Sequence, residues 1–305
     1  MKRSFSIGIP VKNEFENIPE LKKQITDLLN LEKYSHLQFE VLINDNLSSD
    51  GGTPLLEDWA ASDKDVKLFV LGTPLDFQAT VRDLMCKATG EGFALFQSDM
   101  QDPVGVLEEL LDTWLANPER IVAGKIIKRK ESAIVNISRK IFYFLLDASS
   151  DKTYVNGFQD FYVLPRFVYS QIANLPSQNL FIRGFLNYTF SNVIYIEYAR
   201  QPRKAGKSKF NFSSMYDLAL DGLLLYGRNF IRLISLLSFF VFSISTIGSL
   251  LLIVLWLAGY DSGVRGWMSI AMGISLILSF LGLVVGILLE YLIRIYRRLQ
   301  LNQYE

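Results

Sequence analysis

Acidic and amide side chains recur just past short apolar runs in this chain. Lys12-Asn13-Glu14 follows Phe5 to Pro10, Asp45-Asn46 closes Phe39 to Asp45, and Ser98-Asp99-Met100-Gln101-Asp102 follows Gly92 to Gln97. Brought together, such groups suit a divalent cation, because Mg2+ and Mn2+ prefer hard oxygen ligands and commonly take one or two carboxylates together with the phosphates of a substrate. A nucleoside diphosphate is the natural guest of that arrangement. Taken singly, each acid reads equally well as a solvated loop carboxylate or a helix cap; Asp102-Pro103 has the form of an N-cap followed by Pro at the first helical position. A second group is cationic: Arg203, Lys207 and Lys209, with Ser208 and a Gly206 that lets the chain bend, crowd into 203–209. Such side chains grip phosphate, Arg bidentately. The same run also reads as a basic patch for anionic lipid headgroups.

These groups need a scaffold that gathers them. Phe5 to Pro10, Phe39 to Asp45, Lys67 to Leu71, Gly92 to Gln97 and Arg120 to Gly124 are apolar runs of strand length. Between them, Asn17 to Leu31 and Val104 to Asn117 carry helical spacing. Strands alternating with helices predict an α/β fold with a mainly parallel sheet and helices on both faces. Ligands of such sheets lie outside the carboxyl ends of the strands, which is where the polar clusters fall.

Equal numbers of basic and acidic side chains, 31 of each, argue against nucleic acid as a partner. The one cysteine, Cys86, excludes an internal disulfide and reads as a small core residue. The one histidine, His36, excludes a His-rich zinc site, counts against a Ser-His-Asp triad, and falls in a polar loop.

The C-terminal part has another character. No charged residue occurs from Leu233 to Leu257 or from Gly266 to Leu289. As helices, these runs would reach about 36 Å, enough for a hydrocarbon core of about 30 Å. Arg228 and Arg232 precede the first and Arg294, Arg297 and Arg298 follow the second, so the positive-inside rule predicts both flanks on the cytoplasmic side. Trp256, Tyr260 and Trp267 sit near the short connection, as interfacial aromatics do. The start, Met1-Lys2-Arg3-Ser4, leads into a run too short for a signal peptide, which predicts a cytosolic N-terminal part. The expected organisation is a cytosolic domain over 1–212, a juxtamembrane amphipathic helix over 213–230, a two-helix transmembrane hairpin over 231–290 and a cytosolic tail over 291–305. Ile134 to Leu146, bearing Arg139 and Lys140, and Met215 to Tyr226 read as amphipathic helices that either lie at the membrane interface or pack on protein. Gly248, Gly273, Gly282 and Gly286 would allow close helix contact within the hairpin or between subunits of a homo-oligomer.

Four segments resemble the family 2 glycosyltransferases, and within them the polyprenyl-phosphate branch. Ile9-Pro10-Val11-Lys12-Asn13-Glu14-Phe15-Glu16-Asn17-Ile18 is similar to the family's opening P-x-x-N-E-x-E-N-I. Asn44-Asp45-Asn46-Leu47-Ser48-Ser49-Asp50-Gly51 resembles V-D-D-G-S-x-D-G, Gln97-Ser98-Asp99-Met100-Gln101-Asp102-Pro103 resembles D-A-D-L-Q-D-P, and Arg203-Lys204-Ala205-Gly206-Lys207-Ser208-Lys209 resembles R-x-x-G-x-S-K. Gln159-Asp160-Phe161, Phe181-Ile182-Arg183-Gly184 and the two-span tail extend the likeness over nearly the whole chain.

The resemblance implies a GT-A, Rossmann-like domain. It implies inverting transfer of a hexose, glucose from UDP-glucose, to undecaprenyl phosphate at the inner (plasma) membrane, with Mg2+ or Mn2+ as cofactor. The nucleotide sugar would meet Pro10, Asn13, Glu14, Asp45, Asn46 and Asp99, with Asp45 holding the base and Asp99 and Gln101 the metal. Asp99, Asp160 and Arg203 would be catalytic, and Arg139, Arg183, Arg203, Lys207, Ser208 and Lys209 would bind the diphosphate and the lipid phosphate. Asp160 reads as an acceptor-orienting group or weak base, and alternatively as a helix N-cap; Arg183 either binds the acceptor or pairs with an acid.

Three departures mark this chain. Gln97 stands where the family has its first Asp, which lowers the charge of the site; Asn46 replaces the second Asp of the nucleoside turn; and Thr73 to Ala79 lacks an Arg-Asn-Phe-Gly run. They leave open UDP-N-acetylglucosamine, UDP-galactose or GDP-mannose as donor, or a scaffold with a weakened metal site. A processive polysaccharide synthase is disfavoured, since there is no Q-x-x-R-W segment and there are too few spans for a channel.

Overall fold

The computed structural model describes residues 3–128, 158–175, 182–190, 192–201, 228–260 and 266–301. The chain divides into two compact units, one of residues 1–140 with 154–218 and one of 141–153 with 219–305.

In the first unit the described elements are β1 (Arg3–Val11), α1 (Ile18–Leu29), β2 (Leu37–Asp45), α2 (Thr53–Ser62), β3 (Val66–Val70), α3 (Phe77–Lys87), β4 (Gly92–Leu95), α4 (Val104–Ala116), β5 (Ile121–Lys128), β6 (Phe158–Pro165), α5 (Arg166–Asn174), α6 (Ile182–Thr189) and β7 (Val193–Ala199). They form a seven-stranded sheet of order β3-β2-β1-β4-β6-β5-β7. β3, β2, β1 and β4 are mutually parallel, as are β5 and β7; β6 runs antiparallel to both of its neighbours. All five expected strands and both expected helices are present, with ends moved by a few residues.

Strands covered on both faces are near-continuously apolar rather than alternating. β1 accordingly buries every residue from Phe5 to Val11. Phe5, Ile7 and Ile9 meet the helical face of α1, where Ile18, Leu21, Ile25 and Leu28 recur at helical spacing, and Leu107, Leu110 and Trp114 of α4. The opposite face is formed by Leu42, Phe93, Leu95, Tyr162 and Leu164 under α3, α5 and α6. Gly8 belongs there because a Cβ at this position would lie 2.5 Å from the Phe93 ring.

Two expectations change here. Cys86 is exposed on α3 rather than in the core, its Sγ 3.5 Å from the Ala173 carbonyl oxygen, because α3 turns Val81, Leu84 and Met85 inward instead. Asp160 lies inside β6, which excludes the N-cap alternative.

The second unit holds α7 (Arg228–Leu257) and α8 (Trp267–Leu301), whose segments Leu233–Leu257 and Trp267–Leu292 are long and apolar enough to cross a membrane. Their large side chains, such as Leu236, Phe240, Ile247, Ile274 and Phe280, are mostly exposed, unlike those of a soluble core helix. Hydroxyls line the contact between them. Thr246 and Ser279 share a hydrogen bond of 2.5 Å, Ser249 donates to Ser275 at 2.8 Å, and Ser275 donates to the Ser245 carbonyl at 2.7 Å. The small residues Gly282 and Gly286 lie inside this hairpin, against Ser238 with Phe242 and against the Phe239 ring, whereas a Cβ at Gly273 would meet nothing within 4 Å. α8 continues past 290 to Leu301, so the expected tail is helical to that point, in keeping with the good helix formers Arg, Leu and Gln there. α7 begins at Arg228, so the boundary expected at 230 falls inside it; the boundary at 212 and both amphipathic stretches lie outside the described residues.

Candidate active site

Asn13, Leu47 and Met100 are the non-glycine residues with positive φ among the described residues, at 51°, 53° and 57°. Each sits in the loop that leaves β1, β2 or β4, three strands adjacent in the sheet. Left-handed backbone is unfavourable for side chains with a Cβ, and such strain gathers where a loop must hold an unusual shape.

The loops are stitched to one another. The Asn13 backbone N–H donates to Ser48 Oγ at 2.9 Å, Asn13 Oδ1 accepts from the Ser49 N–H at 2.7 Å, and the Phe15 N–H donates to Asp50 Oδ2 at 2.8 Å. Glu14 is buried and accepts from Asn17 Nδ2 at 2.6 Å at the start of α1. Pro10 lies within β1, and its carbonyl accepts from Ser98 Oγ at 2.9 Å, joining the first and fourth strand ends.

Asp45 is fully buried, with Oδ1 accepting from the Ser48 N–H at 3.0 Å and Oδ2 from the Thr53 hydroxyl at 2.5 Å. The carboxylate expected to hold a base therefore spends both oxygens inside its own turn. Asn46 clamps the next loop. Its Nδ2 donates to the Leu75 carbonyl at 2.6 Å and its Oδ1 accepts from the Leu75 N–H at 3.0 Å. An Asp in its place would set a carboxylate oxygen against that carbonyl, so the departure at Asn46 belongs with the altered loop it holds.

At the end of β4, Asp99 Oδ1 accepts from the Gln101 N–H at 3.1 Å, and Oδ2 lies 3.6 Å from Arg200 Nη2. Gln101 Nε2 donates to the Gln201 carbonyl at 3.4 Å, and the Gln201 N–H donates to the Gln101 carbonyl at 2.9 Å. Gln101 Oε1 takes no hydrogen bond among the described residues. Asp99 Oδ2 and Gln101 Oε1 are thus two hard oxygens on one short loop. Among the described residues no group of three His, Cys, Asp or Glu could hold an ion by itself. This set fits Mg2+ or Mn2+, which fills its shell from water and substrate phosphates, and does not fit a closed all-protein site.

Asp102 is not the N-cap that Asp102-Pro103 resembles; Pro103 occupies that position and Asp102 turns inward, 1% exposed. It accepts from the Tyr198 hydroxyl at 2.5 Å and from both arms of Arg200, Nε at 3.1 Å and Nη2 at 3.3 Å. Burial pushes its carboxyl up and Arg200 pulls it back. Arg200 Nη2 also donates to Gln97 Oε1 at 3.1 Å, while Gln97 Nε2 donates to the Asp160 carbonyl at 3.3 Å. Arg200, absent from the sequence reading, is thereby the hub of the cluster. The available signal was the alternation of Ile194, Ile196 and Tyr198, which marks β7 and makes Arg200 the residue past its carboxyl end.

Because β6 is antiparallel, its first residues rather than its last reach this edge. Asp160 is buried there, with Arg183 Nε of α6 3.0 Å from its Oδ2. Its Oδ1 is buried and has no hydrogen-bond partner among the described residues. Burial raises the Asp160 carboxyl above the ordinary range, with Arg183 the foremost group opposing it. The N-terminus of α6 is fastened to α3, since the Ile182 N–H donates to Gln78 Oε1 at 3.1 Å. Pro10, Asn13, Glu14, Asp45, Asn46, Asp99, Gln101, Asp160 and Arg183 thus belong to one edge; Arg139, Arg203, Lys207, Ser208 and Lys209 lie outside the described residues.

A mixed sheet with one antiparallel strand and a carboxylate–amide loop at the fourth strand's end is the GT-A architecture. The fold matches mannosyl-3-phosphoglycerate synthase from Rubrobacter xylanophilus with a TM-score of 0.52 at 14% identity, over 72% of this chain and 71% of that one. The sequence profile of glycosyl transferase family 2 matches residues 6–173, and the chain belongs to that family. It is 28% identical over 297 residues to the bactoprenol glucosyl transferase of Shigella phage SfV, covering 95% of this chain and 94% of the relative. A prophage bactoprenol glucosyl transferase homolog of Escherichia coli K12 is 26% identical over the same shares of the two chains.

Proposed function

We propose that this glycosyltransferase moves glucose from UDP-glucose onto undecaprenyl phosphate, with inversion at the anomeric carbon, at the cytoplasmic face of the inner (plasma) membrane. The observation that supports the reading is that the Asp99–Gln101 loop and the Asp160–Arg183 pair share one edge of the sheet, linked by Gln97 to the Asp160 carbonyl, in a chain that also has two helices able to cross a membrane. The names of the full-length relatives support the sugar and the lipid acceptor.

A phosphate oxygen of the lipid attacks the anomeric carbon, and the bond from that carbon to the diphosphate oxygen breaks on the opposite face. The nucleophile is already ionised at neutral pH, so the protein's work is positioning and charge stabilisation rather than strong base catalysis. Asp160, steadied by Arg183, orients the acceptor and takes up any proton it carries. Glu14, Asn13 and the turn shaped by Asp45 and Asn46 hold the nucleoside. Asp99 and Gln101 would hold Mg2+ or Mn2+, which when bound supplies Lewis-acid charge to the leaving diphosphate. Arg203, Lys207 and Lys209, with Ser208, give cationic and hydroxyl contacts to the diphosphate, and Arg139 and Arg183 to the lipid phosphate. The basic residues flanking α7 and α8 support a cytoplasmic side for both termini.

The test is the purified protein in detergent with undecaprenyl phosphate, Mg2+ or Mn2+, and separately UDP-glucose, UDP-N-acetylglucosamine, UDP-galactose and GDP-mannose, with lipid-linked sugar read by mass spectrometry. A glucosyl-phosphate lipid that Asp99→Asn abolishes is expected. A product from another donor alone would replace glucose, and no product from any donor with a folded protein would overturn the reading.

A further inference from the structure

Arg200 is tied on one side and shared on the other. Asp102, buried beneath it and also held by Tyr198, takes Nε and Nη2 in a fork, and such two-point pairing fixes the plane of a guanidinium. Nη2 of that fixed plane reaches Gln97 Oε1 at 3.1 Å and comes within 3.6 Å of Asp99 Oδ2. The contact to Asp99 is the longest of the set, whereas the others are within hydrogen-bonding range. A carboxylate at position 97 would add a third negative oxygen group around the one guanidinium; the neutral amide instead passes the connection on to the Asp160 carbonyl.

We propose that Arg200 is the positioning residue of the metal site, an internal cation that holds the Gln97–Asp102 loop in shape and neutralises Asp99 until a divalent ion takes Asp99 from it. The inference rests on the reading of Asp99 as a metal ligand. Arg200 and the ion compete for one carboxylate, so the bare protein binds the ion less tightly than its donors allow. The Arg200–Asp102 and Arg200–Gln97 bonds remain in either state. The adjoining Gln201 is bonded to Gln101 on the same loop.

The experiment is Mn2+ binding to the full-length protein in detergent, without nucleotide and with UDP, read by the electron paramagnetic resonance of free Mn2+. Arg200→Gln alone would strand a buried carboxylate. The informative variant is therefore the double Asp102→Asn/Arg200→Gln, which removes both charges together. It is expected to bind Mn2+ about threefold to tenfold more tightly without nucleotide, since Asp99 no longer has a cation competing for it while the net charge around it is unchanged, and to lose the gain when Asp99→Asn is added. If thermal melts show the double variant unfolded, Arg200→Lys is read in the same way: its point charge stays with Asp102 and gives up the fork, so Mn2+ tightens there too. Unchanged or weaker Mn2+ binding in the folded variant overturns the role of Arg200. Wild-type Mn2+ binding with UDP that is indifferent to Asp99→Asn overturns the metal reading itself, which separates the two failures.

Discussion

Asp160 is buried with Arg183 at one carboxylate oxygen, and its carboxyl lies above the ordinary range because burial outweighs the pull of Arg183 and Gln78. If the ionised form orients the acceptor, turnover falls as pH drops through that raised value. The acid limb of the pH–rate profile is then expected above the usual carboxylate range of about 4. Asp160→Asn should cut kcat about a hundredfold, the scale of a lost proton-transfer group, and flatten that limb. A limb that survives in the variant would assign it to another residue. The place of Asp99 and Gln101 past a strand end was readable at this scale because their loop directly follows an apolar strand. Asp102 was misread for a physical reason: Asp-Pro is the local signature of a helix start, and nothing local tells that the side chain turns inward to Tyr198 and Arg200, 96 and 98 residues away in sequence. Arg200 was missed for the same reason, and the bonds of Asp45 to Ser48 and Thr53 could not be read from its place at the end of a strand.

Among the elements, β2 carries a node away from the site. Glu40 accepts from Ser6 Oγ of β1 at 2.7 Å, from the Thr89 N–H and hydroxyl at 2.7 and 2.8 Å, and from Lys67 Nζ of β3 at 2.8 Å. Burial alone would raise its carboxyl, but the hydrogen bonds from Lys67, Ser6 and Thr89 together bring it below its ordinary value. A depressed carboxyl binds fewer protons folded than unfolded, so its stabilisation is complete above the ordinary Glu pKa of about 4.3 and is lost as pH falls through the lower folded value. Glu40→Gln should therefore cost about 2 kcal/mol near neutrality, with the gap in Tm to wild type closing on acidification below about pH 4. A gap independent of pH would show that shape rather than charge holds the node. The helical hairpin offers a paired comparison. Gly282→Ala puts a Cβ 3.0 Å from the Ser238 carbonyl oxygen and Phe242 N, and should lower hairpin stability by about 1 kcal/mol in a detergent melt, whereas the Cβ of Gly273→Ala meets nothing within 4 Å and should not lower it. Equal effects would mean that the seam does not hold the two helices. Periodicity made β1, β2, β3, β4, β5, α1 and α4 legible. β6 and β7 were not assigned, and the direction of β6 is set by tertiary pairing that no local period encodes.

For the whole molecule, the apolar run lengths made two helices long enough to cross a membrane legible, while their mutual packing through serine and threonine needed the structure. The chain is expected to stay with membranes after carbonate extraction at alkaline pH. A reporter enzyme active only outside the cytoplasm, fused after Glu305, should be silent, whereas the same reporter placed in the 261–265 connection should be active. Activity at both positions would contradict the proposed orientation. The antiparallel course of β6 has a last consequence. β5 ends at the edge bearing Asp99 and β6 starts from it, with Lys125 paired to Phe158, and β7 ends beside β5 at the same rim. A side chain borne near the start of one strand thereby stands at the rim where the loops after other strands begin, so Asp160 reaches that rim without a loop of its own. Its place is fixed by the pairing of β6 with β4 and β5, and substitutions that reshape the loops after β1, β2 and β4 can alter the donor side of the rim while Asp160 stays where it is.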